Sequence, residues 1–287
     1  MIMELPPGVS FAAMTLEEIA ELGAWAAGEG WNPGRNDLSI AHGVDPDAFI
    51  ALREGETLVG GGSVFSYGGR FGFLGLFIMR REYRNRGLGG ALWRHLIARS
   101  KERVREGAVG LDGVFAMIPY YEKSGFRQAY RHIRFQGVAA GAPDAGVMRD
   151  VGDFLADILV YDRPLFPAPR EKFLARWVAQ PGAHVAGLYE KGKLAGYGVA
   201  RPCLTGYKIG PLAANDPLTA HRLLSDLMAR VASERIQIDM PDVNVAAMAL
   251  AERFGFKQVF GCVRMYGGPA PDLPVDRIFG VTSLEFG

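Results

Sequence analysis

The sequence predicts a mixed α/β fold (an α+β mixed sheet) in two tandem copies, each a central mixed β-sheet flanked by helices, and three observations predict it. An apolar stretch at 74–79 runs through the glycine loop Arg84-Asn85-Arg86-Gly87-Leu88-Gly89-Gly90 into a long amphipathic helix. Segments with strand alternation and segments with helical period follow one another along the whole chain, the pattern of a sheet with helices on its faces. The second half also repeats the first. Residues 121–137 set against 251–267 match Glu, Gly, Phe, Gln, Arg and Gly at equal offset, and 54–64 against 190–200 match Glu, Leu, Gly and Gly.

In chain order, residues 9–14 form a first strand. Thr15 with Glu18 three residues later is a capping box for a helix carrying Leu16, Ile19, Leu22, Trp25 and Ala26 on one face. The helix stops at Gly28-Glu29-Gly30, and Trp31-Asn32-Pro33-Gly34-Arg35-Asn36-Asp37 then reads as a polar loop on a Pro-Gly turn, a place where function commonly sits. Strands at 49–52, 57–67 and 70–79 make an antiparallel meander with a Gly68-Gly69 hairpin turn. After the loop and helix at 87–104 come a strand at 109–115, a short helix at 119–123 and a closing strand at 126–135.

The small, featureless run 137–146 reads as a linker, placing one domain at 1–137, the connection at 138–149 and a second domain at 150–287. In the second copy, helices at 151–161 and 170–178 precede strands at 184–189, 194–200 and 207–212. A helix at 217–232, a strand at 236–240, a helix at 245–254 and a strand ending at Tyr266 follow, and 280–286 reads as a last strand.

The loop at 84–90 reads as an anion cradle. Its glycines let a ligand approach the backbone closely, the first helical turn has N–H groups without intrahelical acceptors, and the helix dipole adds positive potential there. Arg84 and Arg86 add charge. Glycine spacing alone is weak evidence. The order strand, arginine, spaced glycines, helix, however, resembles the coenzyme A loop of the GNAT superfamily of N-acetyltransferases, [R/Q]-x-x-G-x-[G/A], through Arg84, Gly87 and Gly89. Tyr121-Glu122-Lys123-Ser124-Gly125-Phe126 is similar to that superfamily's Y-x-K-x-G-F signature. The resemblance implies acetyl-CoA as co-substrate. Its pyrophosphate would lie on Arg84, Arg86, Gly87, Leu88, Gly89 and Gly90, and its pantetheine arm beside Leu76, Phe77, Ile78 and Met79. It also implies Tyr121 as the acid that protonates the departing thiolate.

In the second copy the loop is replaced by Ala214-Asn215-Asp216-Pro217-Leu218-Thr219-Ala220 and Tyr121 by Ala251. Pro217 lacks an N–H and Asp216 would cap the helix and repel phosphate, so this copy is not expected to bind coenzyme A in the usual way. Its expected role is to cover the acceptor side of the first. Trp31, Asn32, Arg35 and Asp37 would then line a pocket for a small amine together with Arg201, Asp239 and Tyr266. Asp112 and Asp37 could act as base, without either declaring itself, and His132 reads as a surface or half-buried strand residue.

Composition narrows the alternatives. The chain has 287 residues, 49% of them hydrophobic, enough for one large or two ordinary domains. With 32 basic and 31 acidic residues it has no overall field to hold nucleic acid or an anionic membrane. Cys203 and Cys262 lack metal-ligand spacing and suit a reducing cytoplasm; no metal, signal peptide or membrane span is expected. The expectation is a cytoplasmic N-acetyltransferase, monomer or homodimer, acting on a small amine. The competing reading is a non-catalytic acyl-CoA-binding or sensing module.

Overall fold

The computed structural model describes residues 5–287; residues 1–4 of the expected first domain lie outside the described residues. The first half contains β1 (Val9–Ala13), α1 (Leu16–Gly28), α2 (Asp37–Val44), β2 (Phe49–Glu54), β3 (Thr57–Tyr67), β4 (Phe71–Met79), α3 (Leu88–Arg103), β5 (Val109–Val114), α4 (Ile118–Glu122) and β6 (Phe126–Val138). The second contains β7 (Val147–Met148), α5 (Leu155–Asp162), α6 (Glu171–Val178), β8 (His184–Glu190), β9 (Lys193–Pro202), β10 (Tyr207–Ala214), α7 (Pro217–Arg230), β11 (Arg235–Pro241), α8 (Val245–Arg253), β12 (Lys257–Gly267) and β13 (Ile278–Gly280). The capping box of α1 is formed: Glu18 N–H donates to Thr15 Oγ1 at 3.2 Å and Thr15 N–H to the Glu18 carboxylate at 2.8 Å.

The sheet is mixed, as the fold class predicts, but it is one sheet shared by both copies rather than one in each, in the order β1-β2-β3-β4-β5-β12-β6-β11-β10-β9-β8-β7, with β13 paired to β10. The middle of that order is an exchange. β6 leaves the first half to lie between β12 and β11, while β12 leaves the second half to pair with β5. Two ion pairs lie on the exchanged partners. Arg134 on β6 faces Asp239 on β11, and Arg264 on β12 faces Asp112 on β5. Arg134 and Arg264 occupy equivalent places in the internal repeat, so the pairs are related by it.

The run expected as a flexible linker is fixed along α7. Ala139 exchanges backbone hydrogen bonds with Glu234 and Ser233, and Asp144 accepts two bonds from Arg222 at 2.7 and 2.9 Å. A Cβ on Gly141 would stand 1.9 Å from the Ser225 carbonyl oxygen, so the glycine serves close approach rather than flexibility.

Two further expectations are corrected. α2 occupies a stretch the sequence left without a helix, because Asn36 makes no side-chain cap there. The tail expected as a strand over 280–286 is a strand only at Ile278–Gly280. Beyond it, Phe286 reaches the first half, where its ring packs against Phe49 and Phe65, and it also meets Phe173 on α6 of the second half.

Candidate active site

The site lies where two strands part. β4 and β5 run parallel and pair only at Gly72, Phe73 and Leu74. Leu76 then takes a φ of +54°, and the register with β3 shifts between Gly61 and Ser63. A buried leucine in the left-handed region is strained, and it turns β4 away from its neighbour. A cavity of about 650 Å³ fills the gap, within the range of small-molecule sites.

At the cavity mouth, Gly87 precedes α3 with a φ of +79°, a conformation that favours glycine. The N–H groups of Arg86, Gly87, Leu88 and Gly89 donate to no acceptor among the described residues. Arg84, Gly87, Gly89 and Gly90 line the mouth. The Arg84 guanidinium donates to the Met79 carbonyl at 3.0 Å and to Glu29 at 2.6 Å. Arg86 and Leu88 do not line the cavity: Arg86 stacks 4.7 Å over the Tyr83 ring and Leu88 is buried in the core with Trp93. Phe77, Ile78 and Met79 form part of the wall along β4.

Midway, Tyr121 lines the wall from α4, its ring against Gly113 of β5 and 5.0 Å from the ring of Trp93. Its hydroxyl has no hydrogen-bond partner among the described residues. Burial, reinforced by neighbouring Tyr120, pushes its pKa up to about 12, so the phenol is protonated at neutral pH. Tyr120 also lines the cavity, nearer Gly90.

The inner end is made by Trp31, Asp112, Arg134, Phe260, Cys262, Leu284 and Glu285, drawn from both halves. Asp112 accepts from Arg264 Nε at 2.9 Å and Nη2 at 2.7 Å, and lies 2.9 Å from His132 Nδ1. Burial alone would raise this carboxyl, but Arg264 and His132 outweigh it and hold it at about 2. Asp112 is therefore a poor base near neutrality. His132, expected to be at least partly exposed, is fully buried. Asp112, His132 and Cys262 offer ligand atoms within 4.8 Å of one another, but Arg264 already neutralises the carboxylate.

Of the residues expected around the acceptor, Trp31 lines the cavity and the others do not. Asp37 is paired with Arg201 at 2.9 Å, Asp239 with Arg134 at 2.7 Å, and Arg35 donates to the Cys203 carbonyl at 2.9 Å. Asn32 and Thr205 bond each other at 3.0 and 3.1 Å, and Tyr266 is buried in the core near Phe71. The 31–37 loop is thus a seam holding the two halves together. Sequence reasoning missed Glu29, Arg134, Phe260, Leu284 and Glu285. For Glu285 the signal was a lone acid inside the otherwise apolar Leu284-Glu285-Phe286.

The second copy parts its strands too. β10 pairs with β11 at Tyr207, Lys208 and Ile209 and then diverges. Here β13 fills the gap, pairing with β10 at Leu212 and Ala213 while the Val281 N–H donates to the Asp239 carbonyl on β11. Asn244 holds the approach to this plug, donating to the carbonyls of Val275, Asp276 and Ile278. Asp216 caps α7 by accepting from Leu218 and Thr219. The space that is a cavity in the first half is occupied by the chain itself in the second.

Residues 16–126 match the Acetyltransferase (GNAT) family and residues 158–280 match the Acetyltransferase (GNAT) domain. Holothin acyltransferase of Pseudoalteromonas sp. (strain SANK 73390) is 27% identical over 281 residues, covering 95% of this chain and 92% of that protein. A putative acetyltransferase from Pyrococcus horikoshii has the same fold, with a TM-score of 0.84 and 24% identity over 99% of this chain and 98% of its own. So does a tandem GNAT protein from the clavulanic acid biosynthesis pathway, with a TM-score of 0.64 and 15% identity over 92% of this chain and all of its own (100%). Fold and relatives together define an acyltransferase. The chain belongs to the GNAT superfamily and carries two of its domains in tandem.

Proposed function

We propose that the chain transfers an acetyl group from acetyl-CoA to the primary amine of a small molecule, by direct attack of the amine on the thioester. The observation that carries this reading is the cavity itself, which runs from the unpaired N–H groups before α3, past the Tyr121 hydroxyl, to an end closed by both halves. The N–H groups and Arg84 suit the pyrophosphate, with Arg84 releasing Glu29 for it, and the open edge of β4 suits the amides of the pantetheine arm as an added strand. The amine nitrogen bonds to the carbonyl carbon, the carbon–sulfur bond breaks, and Tyr121 gives its proton to the leaving thiolate. An end walled by Trp31, Phe260 and Leu284 admits a small acceptor and not a protein surface. The relative named for holothin acylation supports a small-molecule acceptor.

The test is thiol release from acetyl-CoA over a panel of primary amines, with Tyr121→Phe alongside. Tyr121→Phe keeps the ring and is expected to lower turnover by about 10²–10⁴ while acetyl-CoA affinity stays level. Acetyl-CoA binding with no acceptor-dependent release from any amine would instead establish a binding module.

A further inference from the structure

Three arginine–aspartate pairs around the inner end balance, which leaves Lys208 and Glu285. Arg134 gives Asp239 two bonds, at 2.7 and 2.8 Å, and a third to the Trp31 carbonyl at 2.7 Å. Arg264 is held bidentate by Asp112, and Arg201 by Asp37. The buried Lys208 ammonium donates to the same Trp31 carbonyl at 2.9 Å and does not line the cavity, so among the described residues no uncommitted cation lines this end. Glu285 differs. One oxygen accepts from Ser283 Oγ at 2.5 Å, and among the described residues the other has no partner. No Lys, Arg or His described here forms an ion pair with it; Arg134, Arg201 and Lys208 act on it only through space.

Its direction of approach matters as well. Phe286, next in the chain, packs in the cluster that also takes Phe73 and Tyr266, whereas Tyr121 belongs to the cluster of Trp93 and Leu111 on the other side of the sheet. The Glu285 carbonyl lies so close to Gly75, the first residue past the last β4–β5 pairing, that a Cβ there would stand 2.2 Å from it. Glu285 and Tyr121 therefore border the same gap from opposite faces.

We propose that Glu285, brought to the gap by the C-terminal tail, receives the ammonium group of the acceptor and takes its proton, and that the acceptor is an amine with an apolar or aromatic body and no carboxylate. This rests on the transferase reading above. A protonated amine has no lone pair, so one proton must leave before attack. It goes from the ammonium to the Glu285 carboxylate. The nitrogen then bonds to the thioester carbon, and the carbon–sulfur bond breaks as Tyr121 protonates sulfur. The second proton shed by nitrogen replaces the one Tyr121 gave, so one proton is released overall. Trp31, Phe260 and Leu284 contact the body of the acceptor. An α-carboxylate would be buried beside Glu285 with no uncommitted cation on the cavity wall to meet it.

The probes are acetyl-CoA with 2-phenylethylamine and related arylalkylamines, the corresponding α-carboxylates such as phenylalanine, aminosugars, and polyamines. The full-length protein should turn over the first class and leave phenylalanine at least 100-fold slower. Glu285→Gln should lower kcat/KM for the amine about 100-fold or more near neutral pH, leave the acetyl-CoA KM unchanged, and recover toward the parent as pH passes the pKa of the free amine. Glu285→Asp, which keeps the charge, should retain more activity than Glu285→Gln and serves as the folding control. Preferred turnover of carboxylate-bearing amines, aminosugars or polyamines, or a Glu285→Gln pH profile matching the parent, would overturn the assignment of Glu285 and leave the transferase standing. Absence of acceptor-dependent release in every class would overturn both.

Discussion

Replacing Asp37 by Asn separates a structural role for the 31–37 loop from a role in the acceptor pocket. The Asp37 and Arg201 side chains are 1% and 2% exposed, with Nε–Oδ1 at 2.9 Å, and Asp37 also accepts the Gly34 N–H at 2.9 Å. The Arg201 guanidinium lies 4.5 Å over the Trp177 ring in the second half, so it has no path to water when its partner loses charge. Leaving a buried guanidinium unpaired costs about 3–5 kcal/mol. For a chain of this size each kcal/mol moves the melting temperature by about 2–4 °C, giving a drop of about 6–20 °C. The assay is urea and thermal unfolding of the parent, Asp37→Asn, Arg201→Met and the double variant Asp37→Leu/Arg201→Met. Each single change should be strongly destabilising, and the double change should recover much of the loss because an apolar pair needs no desolvated charge. A single variant within about 1 kcal/mol of the parent, with a raised acceptor KM, would refute the seam and return both residues to the binding site.

The other expectations concern the cofactor and acid stability. In Gly89→Val the added Cβ would stand 3.3 Å from Met79 Cγ, with its methyls beside the unpaired N–H groups, so calorimetry should find acetyl-CoA binding lost in a protein that still melts cooperatively. Titration of the parent should give one acetyl-CoA per chain, because β13 fills the second gap; two would mean the plug is displaced. Asp112, held at about 2 against an ordinary 3.8, adds stability that is fully present above pH about 4 and lost as pH falls through about 2. Asp112→Asn should therefore flatten the acid limb of the stability–pH curve, and an unchanged limb would refute this.

What the sequence revealed was local. The loop at 84–90, the α1 capping box and the Asp216 cap are set by residues within a turn of one another, and all lie where spacing put them. The exchange of β6 and β12 was hidden by the repeat: two strands sharing residues at equal offsets present similar faces, and sequence cannot say whether each pairs at home or across. Asp239, Arg201 and Asp37 looked like spare polar groups, and Arg134 went unnoticed, because their partners lie 105 and 164 positions away. Glu285 was hidden for a related reason. Its place beside Gly75 depends on a tail that first plugs one half and then crosses to the other.

The crossing strands also bear on how the protein is made. When Val138 has been synthesised, β6 has neither of its neighbours, because β11 starts at Arg235 and β12 ends only at Gly267. At about 5–20 residues per second, the 129 residues from 138 to 267 take roughly 6–26 s to emerge. During that interval β5 and β6 expose unpaired edges, and pairing with the same strands of another nascent chain is the hazard such edges carry. Expression should therefore depend on chaperone supply and translation rate more steeply than for a single-domain member of the superfamily. A stop codon placed after β6 would yield an open-edged, association-prone fragment rather than a minimal enzyme.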